Sequence, residues 1–188
     1  MARKVASASA PPKENQLAKP LVGHEAASAT FIDAIHGGRM HHGWLLHGPK
    51  GVGKARFAAQ AGAYLVAEAA RQDTSSLTLD IDHPDARLIA QGAHPDAHWI
   101  DRFASLDGKK PPKQIPVAAV RSTLQKLQST AAYGGWRVLV VDSVDELNNE
   151  GANALLKPLE EPPHNTAILL VAHTLSRVLP TIRSRCRH

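Results

Sequence analysis

The segment Gly48-Pro-Lys-Gly-Val-Gly-Lys54 constrains this chain more than any other. It is preceded by a short apolar run, Gly43-Trp-Leu-Leu-His47, and followed from Lys54 to about Ala70 by an Ala-rich stretch. The first reads as a buried strand and the second as a helix, so the glycines fall in a strand-to-helix turn. Gly48, Gly51 and Gly53 let the backbone curl until its amides point inward at an anion, with Val52 carried between them. The helix that follows adds its N-terminal partial positive charge, and Lys54 is placed to reach the β- and γ-phosphates of a nucleotide. Ser or Thr would normally follow that lysine and ligate Mg²⁺; this chain has Ala55, whose methyl cannot coordinate a metal.

The rest of the pattern alternates in the same way. Glu25–Gly38 reads as a helix with Phe31, Ile32 and Ile35 on one side, and Ala97–Ile100 as a strand. After Pro116, Val117, Val120, Leu124, Leu127 and Ala131 form one apolar stripe, which Gly134-Gly135 is expected to end. Val138–Val141 is a β-branched run typical of a parallel strand buried on both faces, and Asp142 stands at its end in the position of a metal-orienting carboxylate. A helix from about Asn149 carries Ala152, Leu155, Leu156 and Leu159, with Pro158 expected to kink or shorten it. Ile168–Ala172 is a further buried strand. Residues 71–85 read as irregular and 102–113 as a mobile loop. Alternating strands and helices predict an α/β fold: a three-layer α/β/α domain around a mostly parallel sheet.

Charge narrows the partners. The formal net charge is +5, but Arg3, Lys4, Lys13 and Lys19 against Glu14 put +3 in residues 1–20. Arg177, Arg183, Arg185 and Arg187 put +4 in residues 177–188. The body between is slightly acidic, so the total is weak support for a nucleic-acid face. Lys109, Lys110, Lys113, Arg121 and Lys126 read as a solvated face. Residues 1–20 lack core-forming periodicity and are expected to be a disordered basic extension, with residues 21–188 forming the domain; a transit peptide is the alternative, against which the missing apolar face speaks.

With 43% apolar residues the chain is not a disordered one, and no apolar run is long enough to cross a bilayer. A single cysteine, Cys186, excludes an internal disulfide framework, and it is assigned no redox or nucleophilic role. The 11 histidines include the pair His41-His42 and the tetrapeptide His-Pro-Asp-Ala twice, at 83–86 and 94–97. Adjacent histidines point apart on regular backbone and no third ligand is suitably spaced, so no residue is assigned to a metal.

Asn153-Ala-Leu-Leu-Lys-Pro-Leu-Glu-Glu-Pro-Pro163 and Thr181-Ile-Arg-Ser-Arg-Cys-Arg187 are similar to signature segments of bacterial clamp-loader AAA+ subunits. Gly92-Ala-His-Pro-Asp96, the helix carrying Val120 and Arg121, and the phosphate loop extend the resemblance from about Leu21 to the last residue. It implies a P-loop NTPase domain of the AAA+ type in the DNA polymerase III clamp loader of a bacterial cytoplasm. The implied partners are other clamp-loader subunits (gamma/tau and delta) in a hetero-pentamer, and through them the sliding clamp and primed DNA. In that family the arginine of Ser-Arg-Cys, here Arg185, is donated in trans to the γ-phosphate held by a neighbour.

Where hydrolytic members place a water-activating Glu this chain has Ser143, which is no base near neutral pH. Asp145 and Glu146 are wrongly directed to replace it, and Ala172-His173-Thr174 is a poor match to the usual polar sensor. Together with Ala55, these departures imply impaired hydrolysis, a weak ATP or ADP site, poorly held Mg²⁺ and, since residues 71–92 lack Cys, no zinc. The family continues beyond the position matching His188 into lid and collar domains, so the chain is expected to be an N-terminal piece. Two enzyme readings stay open beside this one: an active P-loop ATPase resembling the gamma/tau motor, and a small-molecule P-loop kinase whose lid and acceptor pocket the sequence does not locate.

Overall fold

The structure is a computed structural model that describes residues 12, 14–102, 112–128 and 130–188. Four strands, β1 (Gly43–His47), β2 (Ala97–Asp101), β3 (Arg137–Asp142) and β4 (Thr166–Ala172), form one parallel sheet in the order β1-β4-β3-β2. The chain leaves β1 for the far edge and returns strand by strand until β4 lies beside β1. Such a layout needs crossover helices, and they cover both faces.

Side chains alternate along each strand, so the sheet separates two cores. Ala167, Leu169 and Val171 of β4 meet one side together with Trp44, Val138 and Val140. Ile168, Leu170 and Ala172 meet the other with Leu45, Leu139 and Val141. The first core is closed by α1 (Glu14–Ala18), α2 (Glu25–His36), α3 (Lys54–Val66) and α4 (Pro84–Ala90). The second is closed by α5 (Val117–Leu127), α6 (Asn149–Glu160) and α7 (Pro180–Arg183). This is the three-layer α/β arrangement expected. The alanines of α3 have a packing reason: a Cβ at Gly62 would lie 2.9 Å from Val138 Cγ1, so only small residues let this helix approach the sheet.

Several boundaries differ from expectation, each for an identifiable reason. Part of the supposed extension is core: Leu17 on α1 is 1% exposed, Gln60 Nε2 donates to the carbonyls of Gln16 and Lys19 at 2.6 and 2.7 Å, and Arg56 donates to Lys19 O. Residues 1–11 and 13 lie outside the described residues. The irregular stretch after Arg71 includes α4, opened by Pro84 at its first turn with His83 Nδ1 accepting from Asp85 N at 3.3 Å.

The second His-Pro-Asp repeats that turn, His94 Nδ1 accepting from Asp96 N at 3.2 Å, and leads into β2 instead. Helix α5 stops at Leu127, well before Gly134. The Arg137 guanidinium donates to Leu127 O, and the buried Asp96 carboxylate takes the amides of Ala132 and Tyr133, drawing the chain off the helix axis. Pro158 does not end α6, which runs two residues past it. Most of the loop expected at 102–113, including Lys109 and Lys110, lies outside the described residues.

Candidate phosphate site

The strands end together at the loop. β1 delivers Gly48, which follows His47 directly, and β3 delivers Asp142 beside the N-terminus of α3. Gly48, Gly51 and Gly53 have φ of 147°, 90° and 93°, the region that favours glycine. Gly53 is the N-cap of α3 and has no side chain to cap it, so the first-turn amides of the helix are left for other acceptors. Lys54 is 6% exposed, and its Nζ donates to Gly48 O at 2.8 Å and Pro49 O at 2.6 Å. Burial pulls its ammonium below the ordinary lysine value, against the pull of the Asp142 and Asp145 carboxylates. A phosphate in the loop would compete with those two carbonyls for Lys54.

One contributor to this loop was missed in the sequence. His24, at the N-cap of α2, hydrogen-bonds through Nε2 to Val52 O at 2.6 Å and packs against the loop so closely that a Cβ at Gly53 would lie 3.2 Å from that nitrogen. No spacing signal announces it, since the contact spans 28 positions.

The loop offers donors to an anion, and the polar side chains beside it are held among themselves. Ala55 offers only its methyl. Asp142 Oδ1 accepts the hydroxyl hydrogen of Ser143 at 3.0 Å, and Ser143 Oγ is also 3.0 Å from His173 Nε2. The two carboxylates next in sequence are engaged elsewhere. Asp145 takes the amides of His173 and Thr174 at 3.1 and 2.9 Å, and Glu146 pairs with Arg102 at 3.3 Å. Nucleotide phosphates fit the loop's donors; Mg²⁺ lacks its usual hydroxyl ligand.

A cleft of about 230 Å³ opens beside the loop, lined by Gln16, Ala55, Arg56, Trp99, Asp101 and Asp142 among others. Among the described residues no His, Cys, Asp and Glu cluster has a metal-binding arrangement, and no helix is long and apolar enough to cross a membrane. His41 and His42 do not point apart as expected: their rings stack at 4.3 Å, because both precede β1 on irregular backbone, with His42 Nε2 2.9 Å from Leu159 O.

Arg185 lies elsewhere. Its backbone carbonyl flanks Gly43, where an added Cβ would meet it at 3.0 Å, so it sits at the start of β1 while the phosphate loop follows the end. Five residues of strand separate the two, roughly 16 Å at the usual rise. The Arg185 side chain is 34% exposed. It pairs with Glu160 at 2.8 Å and donates to Thr181 O at 2.8 Å. Beyond it the chain runs along the free edge of β1, Arg187 N donating to Gly43 O at 2.9 Å and Leu45 N to Arg187 O at 2.8 Å. Cys186 is packed under this turn, and burial pushes its thiol up to about 11.

Comparison with known proteins agrees with this architecture. Residues 23–188 match the family model described as DNA polymerase III, delta subunit. The DNA polymerase III subunit delta′ of Pseudomonas aeruginosa is 37% identical over 152 residues, 80% of this chain and 43% of that protein. The delta′ subunit of Escherichia coli is 32% identical over 158 residues, 84% of this chain and 44% of that protein. The tau subunit of Escherichia coli is 31% identical over 166 residues, covering 88% and 24%. The chain therefore spans under half the length of these curated relatives. A solved DNA polymerase III gamma subunit-related protein of Thermotoga maritima shares the fold, with a TM-score of 0.54 at 20% identity over 85% of this chain and 44% of that one. By the extent of the family match and the identity to its members, the chain belongs to the DNA polymerase III delta-subunit family.

Proposed function

We propose that this chain belongs to a clamp-loader subunit that assembles with gamma/tau and delta subunits, helps place a sliding clamp on primed DNA in a bacterial cytoplasm, and lends Arg185 to the ATP of a neighbour. The observation that carries the reading is the position of Arg185, at the opposite end of β1 from the chain's own phosphate loop. An arginine so placed cannot serve a phosphate in its own loop, but it is free to meet one across an interface.

Arg185 follows α7, and its guanidinium is held between the Glu160 carboxylate at the end of α6 and Thr181 O on α7. On docking, one set of anionic oxygens replaces another: the Glu160 carboxylate yields to a γ-phosphate. A planar, permanently charged group is suited to both. The chain's own loop is read as a weak ATP or ADP site with hydrolysis impaired, since Ala55 and Ser143 supply neither metal ligand nor base. The body's charge does not single out a DNA face.

The test is reconstitution of the protein carrying this chain with its partner subunits. Arginine fingers contribute about 10³–10⁵ to turnover, so Arg185→Ala is expected to cut the partner's DNA-stimulated ATP hydrolysis by about 10³-fold and abolish clamp loading. Lysine at 185 is expected to rescue little, because it cannot offer the planar fork. Unchanged hydrolysis and loading in Arg185→Ala would sink the reading. The competing reading, an active motor of its own, rests on Lys54 standing beside Asp142. Sustained turnover by this protein alone, lost in Lys54→Ala, would establish it instead.

A further inference from the structure

His24 stands at the N-cap of α2, 28 positions before Val52, and its imidazole lies against the outside of the phosphate loop. Its place there is fixed by backbone and ring together. Ser28 N donates to His24 O at 2.8 Å and ties it into the first turn of α2, a helix seated by the buried Phe31 and Ile32. The ring packs on Phe57 of α3, with centroids 5.9 Å apart and planes tilted by 50°. Its Nε2 is 2.6 Å from Val52 O. A carbonyl oxygen only accepts, so the hydrogen of that bond is carried by His24 Nε2. The peptide joining Val52 to Gly53 is planar and trans, which sets its C=O and N–H in opposite directions. With the carbonyl drawn outward to α2, the Gly53 N–H is turned into the curl of the loop, the side on which Lys54 Nζ lies. The reverse orientation would present an oxygen to an anion there. Gly53 leaves room for this arrangement, since a Cβ on it would stand 3.2 Å from His24 Nε2.

We propose that His24 is a positioning residue of the phosphate site: its hydrogen bond to Val52 O keeps the Gly53 amide directed at the place an anion takes. The inference rests on reading Gly48–Lys54 as a phosphate site, and it assigns that loop a support from outside the motif. His24 acts through the Val52–Gly53 peptide and is not itself a phosphate ligand. A loop whose amides already converge binds an anion without first reorienting, which is the advantage of preorganisation. A side chain that keeps a donor at the reach of Nε2 should therefore preserve binding, and one that keeps only the ring should not. Glutamine meets the first condition and phenylalanine the second.

The experiment is ADP titration by calorimetry for the native protein, His24→Phe and His24→Gln, each shown by urea unfolding to be folded under the conditions used. A hydrogen bond between uncharged groups changes an equilibrium by about 2–10-fold. His24→Phe is accordingly expected to bind ADP about 2–10-fold more weakly than the native protein, and His24→Gln to recover most of that loss. His24→Ala takes the place of the phenylalanine variant if the latter fails to fold. Proton–nitrogen spectra supply a readout that a loss of stability alone would not move. On addition of ADP the Gly53 amide proton is expected to shift downfield in the native protein and in His24→Gln, and less in His24→Phe. Native affinity with a native Gly53 shift in His24→Phe overturns the positioning role and leaves the phosphate site standing. Binding by His24→Gln as weak as that of His24→Phe overturns it as well. No ADP binding by the native protein removes the phosphate site and the role of His24 together.

Discussion

Replacing Gly43 by alanine should loosen the segment that carries Arg185. The new methyl would stand 3.0 Å from Arg185 O, 3.0 Å from Leu159 Cδ2 and 3.2 Å from Cys186 Sγ. Leu159 can rotate, but Arg185 O is backbone, and Arg185 N is tied to Ile182 O at 3.1 Å. The turn must lift as a unit, taking with it the two bonds that Arg187 makes to Gly43 and Leu45. Overpacking costs about 1–3 kcal/mol and each lost hydrogen bond about 0.5–1.5 kcal/mol. The sum is roughly 2–4 kcal/mol in urea unfolding, after partial relaxation.

Cys186 is the chain's single cysteine, so a thiol reagent reads this turn directly. Its thiol is held up at about 11 by burial. Release towards the ordinary value of about 8.5 would raise the thiolate fraction at pH 8 by up to roughly 10²-fold. Gly62→Ala is the control, because its methyl would crowd Val138 and Val140 on the opposite face of the sheet. It should cost comparable stability and leave Cys186 slow to react. If Gly43→Ala keeps stability within about 0.5 kcal/mol of native and Cys186 stays slow, the packing account of the Arg185 turn is wrong.

Acid should weaken the fold through His98. Burial holds its imidazole down to about 4, with Lys126 acting in the same direction and Asp96 against it. The unfolded chain takes up that proton near the ordinary value, so the contribution is complete above about pH 6.5 and is lost as pH falls towards 4, up to about 3 kcal/mol. Burial also lowers His42 and His94, which add in the same direction. His98→Gln should remove its share of the loss between pH 7.5 and 4.5 in urea unfolding; an equal loss in both proteins would contradict the burial argument. Leu17→Ala should cost about 2–5 kcal/mol, as for a buried leucine. A change below about 0.5 kcal/mol would return residues 14–20 to the extension that their composition describes.

What could be read from the sequence was whatever is local. The runs at 44–46 and 138–141 are apolar throughout because those parts of β1 and β3 are packed into the cores, and their strands appear within a residue or two of expectation. The features that escaped depend on distant partners. Helix α1 has five residues, too few for a period, and is held by one leucine, by Gln60 reading Gln16 O, and by Gln60 and Arg56 reading Lys19 O just beyond it. The end of α5 is set by Arg137 at the start of β3 and by Asp96 in the turn before β2. The same tetrapeptide opens a helix at 83–86 and a strand at 94–97, so its own chemistry fixes only the turn. Ser143 was recognised as a lost base, but its bond to His173 follows from the register of β3 on β4, which pairs Asp142 with Val171 and so brings the two strand ends level.

The phosphate loop shows how far a motif alone carries. Its lysine has structural work apart from any ligand: Lys54 Nζ ties Gly48 and Pro49 together from inside the loop, while His24 holds Val52 from outside. Gly53 is needed both for its positive φ and for the space that His24 occupies. A chain could keep these residues for the junction between β1 and α3 even after giving up turnover, because removing any of them loosens that junction. The presence of the motif is therefore evidence of the fold first and of phosphate binding second. Hydrolysis is a third matter, on which the motif itself is silent. Arg185 makes no such contact with the loop, and its half-buried guanidinium is held by an ion pair to the more exposed Glu160. Of the residues read from the sequence as functional, it is the one set apart from the loop, at the other end of β1.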